Sequence, residues 1–231
     1  MPTLLCIETA TATCAVSLSC DGKILASIRS TEGFDHAEKL TGFIKDLFDQ
    51  TSRKLNDIDA VAVSGGPGSY TGLRIGVSTA KGICWSLDKP LIAIPTLKSM
   101  TAGAQLLHTA TDGMLWCPMI DARRMEVYTA VYDNDLNEIA PVSAKIIDEQ
   151  FVAALPLHAT LVFFGDGMSK AKSLLSGHPS VVFLDDYVIH AEHLIRPGEN
   201  AFAHQKFVHT ALYEPFYLKE FVAGKAAAAK Q

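Results

Sequence analysis

Three acidic side chains stand where apolar runs end, a position at which α/β proteins often place reactive groups. Glu8 closes the run "TLLCIE", Asp121 closes "MLWCPMID", and Asp166 follows "LVFFG". Carboxylates at strand ends can hold Mg²⁺ for phosphoryl transfer or nucleic-acid hydrolysis. They also cap turns and helices, so both interpretations stay open. His190 and His193 fit one helix face, but no third ligand lies near them in sequence, which favours solvated or capping histidines over a metal site.

A glycine-rich segment, "SGGPGSYTGLRIG" at 64–76, joins an apolar run to a helical pattern. It departs from the Walker loop, in which Lys and Ser or Thr follow the last glycine, because Leu73 and Arg74 follow Gly72. It departs from GxGxxG as well, since Thr71 occupies the third glycine position. Two interpretations remain. Either amide groups at the start of the helix hold an anion through the helix dipole, or the segment is a tight turn without a ligand.

The elements that must position these groups follow from the spacing of apolar residues. Short alternating or apolar runs predict strands, and the pair Asp21-Gly22 predicts a two-residue hairpin turn. Three- and four-residue spacing predicts helices. The predicted strands are three within 3–30, then 59–64, 90–95, 114–121, 126–133, 161–164 and 181–184; the predicted helices are 36–51, 71–87, 96–108 and 200–213. This order predicts an α/β protein of two stacked lobes, with a boundary near 105–112.

The composition narrows the class of protein further. The 231 residues are 48% hydrophobic and 19% charged, enough for one large domain or two lobes with cores. A net charge of −5 argues against a protein that mainly grips a nucleic-acid backbone. Because we find neither a signal-peptide pattern nor an apolar run of ~20 residues, we expect a cytoplasmic protein without a membrane span. The five cysteines lack a CxxC pair, which suits reduced thiols in that compartment.

Five segments together resemble one bacterial family. They are "LLCIETATATCAVSLSCDGKIL", "AVSGGPGSYTGLRIGVSTAKGI", "IPTLKSM", "DARRMEVYTAVY" and "EPFYLKE". Through them the sequence is similar, over nearly its whole length, to the TsaB (YeaZ) family of tRNA threonylcarbamoyladenosine biosynthesis proteins. The resemblance implies an actin/Hsp70-type fold, in which two ribonuclease H-like lobes each carry a mixed β-sheet flanked by helices. We expect these lobes over 1–108 and 109–222, with the last helix able to pack back on the first lobe and a flexible tail at 223–231.

The resemblance also implies a function and partners. The family takes part in forming N6-threonylcarbamoyladenosine next to the anticodon of tRNA, as a non-catalytic scaffold that forms a heterodimer with the catalytic relative TsaD. The ATPase TsaE belongs to the complex, and contact with tRNA is indirect. The implied interface is a bundle of the first two helices of each partner, and without TsaD the same surface can form a homodimer. Packing within the lobe is the alternative use of the expected interface residues, which are Leu40, Phe43, Ile44, Leu47, Gly72, Arg74, Gly76 and Ala80.

The resemblance further implies that the catalytic apparatus of TsaD is missing. TsaD binds a metal through two histidines spaced four residues apart, and aligning "PLIAIPTLKSM" with that segment puts Thr96 and Met100 there. This chain contains no HxxxH, and Thr and Met are poor ligands for a hard divalent metal. We therefore expect no metal and no cofactor of its own, while ATP or ADP at the boundary of the complex stays open. The glycine loop would then be a degenerate nucleotide-type loop, comprising Glu8, Gly66, Gly68, Ser69, Thr71 and Gly72.

Two enzymatic interpretations stand beside the scaffold. One is a glycoprotease-like hydrolase or an ATP-using transferase in its own right, and the missing histidine pair and incomplete phosphate motifs count against it. The other is a ribonuclease H-type nuclease that uses Glu8, Asp121 and Asp166, and the acidic net charge counts against it. Arg123 and Arg124 of "DARRMEVY" keep two open roles, contact with a partner or tRNA and a structural or solvated role.

Overall fold

The structure is a computed structural model that describes residues 2–31, 35–156 and 158–219. Within these residues the strands are β1 (Thr3–Glu8), β2 (Cys14–Cys20), β3 (Lys23–Ser30), β4 (Ala60–Ser64), β5 (Leu91–Ile94), β6 (Met114–Asp121), β7 (Glu126–Tyr132), β8 (Glu138–Ile146), β9 (Thr160–Phe164) and β10 (Val181–Leu184). The α-helices are α1 (His36–Thr51), α2 (Tyr70–Leu87), α3 (Thr96–Leu107), α4 (Glu149–Ala153), α5 (Ser169–Leu175) and α6 (Ile195–Ala203). Short 3-10 helices cover Leu55–Asp57 and Ala191–Leu194.

The strands form two five-stranded sheets that share one topology. The first sheet has the order β3-β2-β1-β4-β5, with an antiparallel β1–β3 meander and with β4 and β5 parallel to β1. The second sheet repeats this plan in the order β8-β7-β6-β9-β10. At the first hairpin, Asp21 and Gly22 both have positive φ, as a two-residue turn requires. Two mixed sheets flanked by helices confirm the predicted fold class.

Each face of the first sheet is covered by a different part of the chain. The spacing of Leu40, Ile44 and Leu47 puts all three on one side of α1, where they are buried against the sheet together with α2. The opposite face, which includes Leu4, packs against Leu194 and the rest of the segment 191–203. The first lobe therefore takes its outer layer from residues that follow the second sheet in sequence.

Conversely, the second lobe is covered on one face by α3, a helix that precedes the second sheet in sequence. Leu97 and Met100 of α3 join the buried cluster around Trp116 and Phe164, although α3 directly follows β5. The other face of the second sheet packs against α4 and α5 through residues such as Leu175. The α3 helix and the 191–203 segment thus tie the two lobes together behind the cleft that separates the sheets.

Two of the sequence-based assignments differ from the structure. The helix expected over 200–213 is instead α6, which ends at Ala203, and the chain after it is irregular. Pro197 and Gly198 lower the helical signal of α6, yet a proline is tolerated in the first turn. Strand β8 was not predicted, because Pro141 and the small residues around it interrupt the alternation. The tail at 223–231 lies outside the described residues, and within those residues no helix has the length and apolar character needed to cross a bilayer.

Candidate functional site

The amide groups of the glycine loop, residues 65–69, donate to oxygen atoms of the chain itself. Gly65 N–H donates to the Ile94 carbonyl at 2.8 Å, and Ser69 N–H donates to the Ala10 carbonyl at 2.7 Å. Gly66 N–H donates to the Thr96 hydroxyl at 3.1 Å. A phosphate cradle needs such amides to point at the ligand. Here three of them are used to fix the loop between β1, β5 and α3.

The small residues of α2 allow the chain after β1 to come very close. A Cβ atom added to Gly72 would lie 2.1 Å from the Thr9 carbonyl oxygen, and one on Gly76 would lie 2.1 Å from the Thr9 hydroxyl oxygen. The Thr9 hydroxyl in turn donates to the Gly72 carbonyl at 2.8 Å. The Ser69 hydroxyl caps the helix by accepting from Gly72 N–H at 3.3 Å. The glycine face of α2 is therefore occupied within the lobe.

Glu8 is fully buried inside the first lobe and does not line the cleft. One carboxylate oxygen accepts from Ala10 N–H at 2.7 Å, and the other accepts from the Ser64 hydroxyl. Burial raises the pKa of Glu8 to about 7, even though the hydrogen bonds from Ser64 and Ala10 oppose this change. The side chain thus links the ends of β1 and β4.

Asp121 and Asp166 do meet, at a cavity of about 470 Å³ between the lobes. Asp121 N–H donates to the Asp166 carboxylate at 2.9 Å, and Lys170 Nζ lies 2.8 Å from the Asp121 carboxylate. Burial tends to raise the pKa of Asp121, but hydrogen bonds from Lys170 and the Arg123 amide outweigh it and lower that pKa. Burial, together with the nearby Asp121 charge, raises the pKa of Asp166. Asp121 and Asp166 thus form a hydrogen-bonded network with Lys170, whereas Glu8 bonds to Ala10 and Ser64 and does not take part in it.

The residues considered as metal ligands have other roles. Thr96 is fully buried and accepts from Gly66, while Met100 lies in the core of the second lobe. His193 is buried with Nδ1 3.1 Å from the Tyr187 hydroxyl, and burial lowers its pKa to about 3, so the ring is neutral. In the described part of the chain, no three His, Cys, Asp or Glu side chains converge as a metal site would require.

The expected interface residues divide into buried and exposed groups. The buried group is packed in the first lobe and can reach a partner only if the lobe opens; it comprises Leu40, Ile44, Leu47, Gly72, Gly76 and Ala80. Phe43 is half-buried, and Arg74 is exposed. The outer side of α2 forms an exposed stripe, defined by Thr71, Arg74, Ser78, Gly82 and Trp85. Because these residues are spaced three and four apart, their side chains lie on the same side of the helix.

Sequence reasoning missed a C-terminal segment at the site, residues 207–219, which we name the strap. Its Phe216 N–H donates to the Gly65 carbonyl at 2.7 Å, and the Tyr217 ring centroid lies 4.6 Å from that of Tyr70. Tyr217 and Lys219 line the cavity opposite Arg123 of "DARRMEVY". The segment "EPFYLKE" was one of the five that carried the family resemblance, but its residues gave no reason to place it at the loop.

Two lobes of one topology that face each other across a cleft define the actin/Hsp70-like class. The activator of the 2-hydroxyisocaproyl-CoA dehydratase from Clostridium difficile shares the fold, with a TM-score of 0.50 and 11% identity over 88% of this chain and 97% of that chain. Residues 30–161 match the family model of TsaD, tRNA N6-adenosine threonylcarbamoyltransferase.

Closer relatives identify the family. The chain is 32% identical to the tRNA threonylcarbamoyladenosine biosynthesis protein TsaB of Escherichia coli (strain K12), over 99% of both chains. YeaZ from Pseudomonas aeruginosa superposes with a TM-score of 0.82 and 26% identity, over 94% of this chain and 100% of that chain. The chain therefore belongs to the TsaB (YeaZ) family, which confirms the resemblance seen in the motifs.

Proposed function

We propose that this chain is a non-catalytic scaffold subunit in the synthesis of N6-threonylcarbamoyladenosine in tRNA. Its similarity to proteins named for that pathway supports the pathway. The observation that carries the scaffold role is the glycine loop, whose Gly65, Gly66 and Ser69 amides donate to the chain's own oxygen atoms. Groups that would hold a nucleotide are thus engaged in holding the fold. We propose no cofactor for this chain alone, and ATP or ADP only at the boundary with its partner.

The proposed partner is TsaD, docked on the exposed stripe of α2 and the neighbouring surface of α1, with TsaE in the same complex. Trp85 is 76% exposed and Arg74 lies in the same stripe. Trp and Arg are among the residue types that most often dominate binding energy at interfaces. Ser78 and Gly82 between them leave room for a helix to approach. In the absence of TsaD, the same stripe can pair two copies of this chain.

The scaffold acts through a difference in affinity. Docking can favour the working arrangement of TsaD only if the stripe binds that arrangement more tightly than the alternatives. The chain then contributes to tRNA modification without touching the reacting groups, and its contact with tRNA is indirect. Its net charge of −5 agrees with indirect contact, because proteins that bind the tRNA backbone directly use positively charged side chains.

A binding measurement with TsaD of the same organism tests the interface. Trp85→Ala removes the largest side chain of the stripe and should weaken the affinity at least tenfold, as hot-spot truncations do. Leu106→Ala is the matched control, because Leu106 is 75% exposed but lies on α3. It should leave the affinity unchanged. Equal affinities for the two variants would remove α2 from the interface.

A second experiment tests the pathway and the absence of catalysis. In cells depleted of the native subunit, tRNA should lose N6-threonylcarbamoyladenosine, and this chain should restore it, as mass spectrometry of digested tRNA will show. Restoration should fall for Trp85→Ala in parallel with its affinity. Purified chain that turns over ATP or a peptide without TsaD, and stops on Glu8→Ala, would instead favour the hydrolase or transferase interpretation.

A further inference from the structure

The strap is held on the first lobe by hydrogen bonds along its length. Val208 N–H donates to the Leu91 carbonyl at 2.9 Å, at the edge of the first sheet. Lys81 of α2 then donates to two strap carbonyls, those of Ala211 and Tyr213, at 3.0 Å each. The strap is therefore fixed to β5 and α2 before it reaches the glycine loop.

The glycine loop is shaped to receive the strap. The Gly65 carbonyl accepts from Phe216 N–H at 2.7 Å and from the Tyr213 hydroxyl at 3.3 Å. A Cβ on Gly65 would lie 2.4 Å from the Tyr213 hydroxyl oxygen, and one on Gly66 would lie 2.4 Å from the Phe216 carbonyl oxygen. Gly66 also has a φ of 107°, a backbone angle that residues other than glycine rarely adopt. Both glycines serve the approach of the strap, so the loop's occupant is a segment of the same chain.

Beyond the loop the strap crosses the mouth of the cleft and reaches the second lobe. Tyr217 packs against Tyr70 at the start of α2, and Leu218 joins them in lining the cavity. Lys219 then forms an ion pair with Glu126, the first residue of β7. The two side chains are 46% and 22% exposed, so water reaches the pair.

We propose that the strap is a latch that sets how far the cleft opens. Its first-lobe end is fixed by five hydrogen bonds, two of them partly buried, whereas it is joined to the second lobe by the single water-accessible ion pair of Lys219 and Glu126. Such a pair contributes little free energy, so it releases before the rest of the strap does. Release widens the cavity that Asp121 and Asp166 line, while α3 still joins the lobes. The latch is a property of this chain alone and does not depend on docking to a partner.

Amide hydrogen exchange, followed residue by residue on the full chain, tests the latch. Lys219→Gln removes the positive charge of the Lys219–Glu126 ion pair. We expect about two- to fivefold faster exchange of the Phe216 amide, which bonds the loop, and of the Arg123 amide, which faces the cleft from the second lobe. The Val208 amide lies at the fixed end and should exchange as in the unmodified protein.

Matched variants separate the latch from a general loss of stability. Lys172→Gln is the control, because Lys172 is 43% exposed and pairs with Asp185 within the second lobe. It should leave the Phe216 and Arg123 amides unchanged. Exchanging the charges, Glu126→Lys with Lys219→Glu, should return both amides toward their original rates. The latch would be overturned if the amides of Lys219→Gln exchanged at the same rates as in the unmodified protein. It would also be overturned if their exchange rates rose uniformly through the molecule.

A second pair of variants tests the contact with the glycine loop. Gly65→Ala places a methyl group on the Tyr213 hydroxyl and should raise Phe216 exchange at least tenfold. Adding Tyr213→Phe removes the clashing oxygen and should bring the rate back toward that of the unmodified protein. A double variant that exchanges as fast as Gly65→Ala alone would show that the loop does not hold the strap, and the proposal would fail.

Discussion

The buried carboxyl group of Glu8 makes stability depend on pH in a direction opposite to that of most carboxylates. Its pKa is raised from 4.5 to about 7 because the charged form is desolvated. The folded chain therefore binds this proton more tightly than the unfolded chain does. The stabilisation is complete below pH 4.5 and is lost as the pH rises through 7. At 1.36 kcal/mol for each pH unit, the loss amounts to about 3 kcal/mol of unfolding free energy by pH 8 to 9.

Glu8→Gln isolates this effect. The amide oxygen can still accept from Ala10 N–H, and the amide nitrogen can donate to Ser64, but the side chain no longer titrates. Urea unfolding of both proteins from pH 4 to pH 9 should give similar free energies at pH 4 and a variant about 3 kcal/mol more stable at pH 9. Groups that titrate in both proteins cancel in the difference. Parallel curves for the two proteins over this range would refute the reasoning.

Two further changes test the packing of α2 and the network in the cleft. Gly72→Ala should lower the unfolding free energy by about 2 to 3 kcal/mol, because its methyl group clashes with the Thr9 carbonyl. Gly82→Ala on the same helix places its methyl group in open space and should raise the unfolding free energy by about 0.5 to 1 kcal/mol. Urea unfolding of the two variants checks this difference in sign. Lys170→Met should raise the pKa of Asp121, because the ammonium group that favours its charged form is gone; an NMR titration of the carboxyl carbon measures it, and an unchanged pKa would show that Lys170 does not stabilise the carboxylate.

The sequence was sufficient to predict the elements whose periodicity is strong. The α1 stripe of Leu40, Ile44 and Leu47 points to one buried face, and the structure agrees. The alternation in β2 correctly predicted a strand, although the structure buries both of its faces. The two-lobe class followed from the order of such elements. Strand β8 and helix α6 were harder, because Pro141 and Pro197 weaken the pattern while tertiary contacts still support both elements.

The site depended on contacts between distant residues, which spacing does not reveal. The glycines of the loop and of α2 indicate close approach, but the sequence does not say whether to a ligand, a partner or the chain itself. The structure identifies Thr9 and Phe216 as the neighbours. Likewise, the apolar residues of α1 pack against their own sheet, so the exposed residues on which the proposed docking surface rests, Arg74 and Trp85, lie on a different helix, α2.

The origin of the first lobe's outer layer has a consequence for how the protein is made. A ribosome completes all five strands of the first sheet long before it reaches residues 191–219, which cover that sheet and bind its loop. Until then the nascent chain carries the apolar face of Leu4, Cys6 and Ile92 uncovered, and contacts this distant in sequence form slowly. The earliest part of the polypeptide thus matures last, and a fragment that stops after the first sheet keeps an adhesive face.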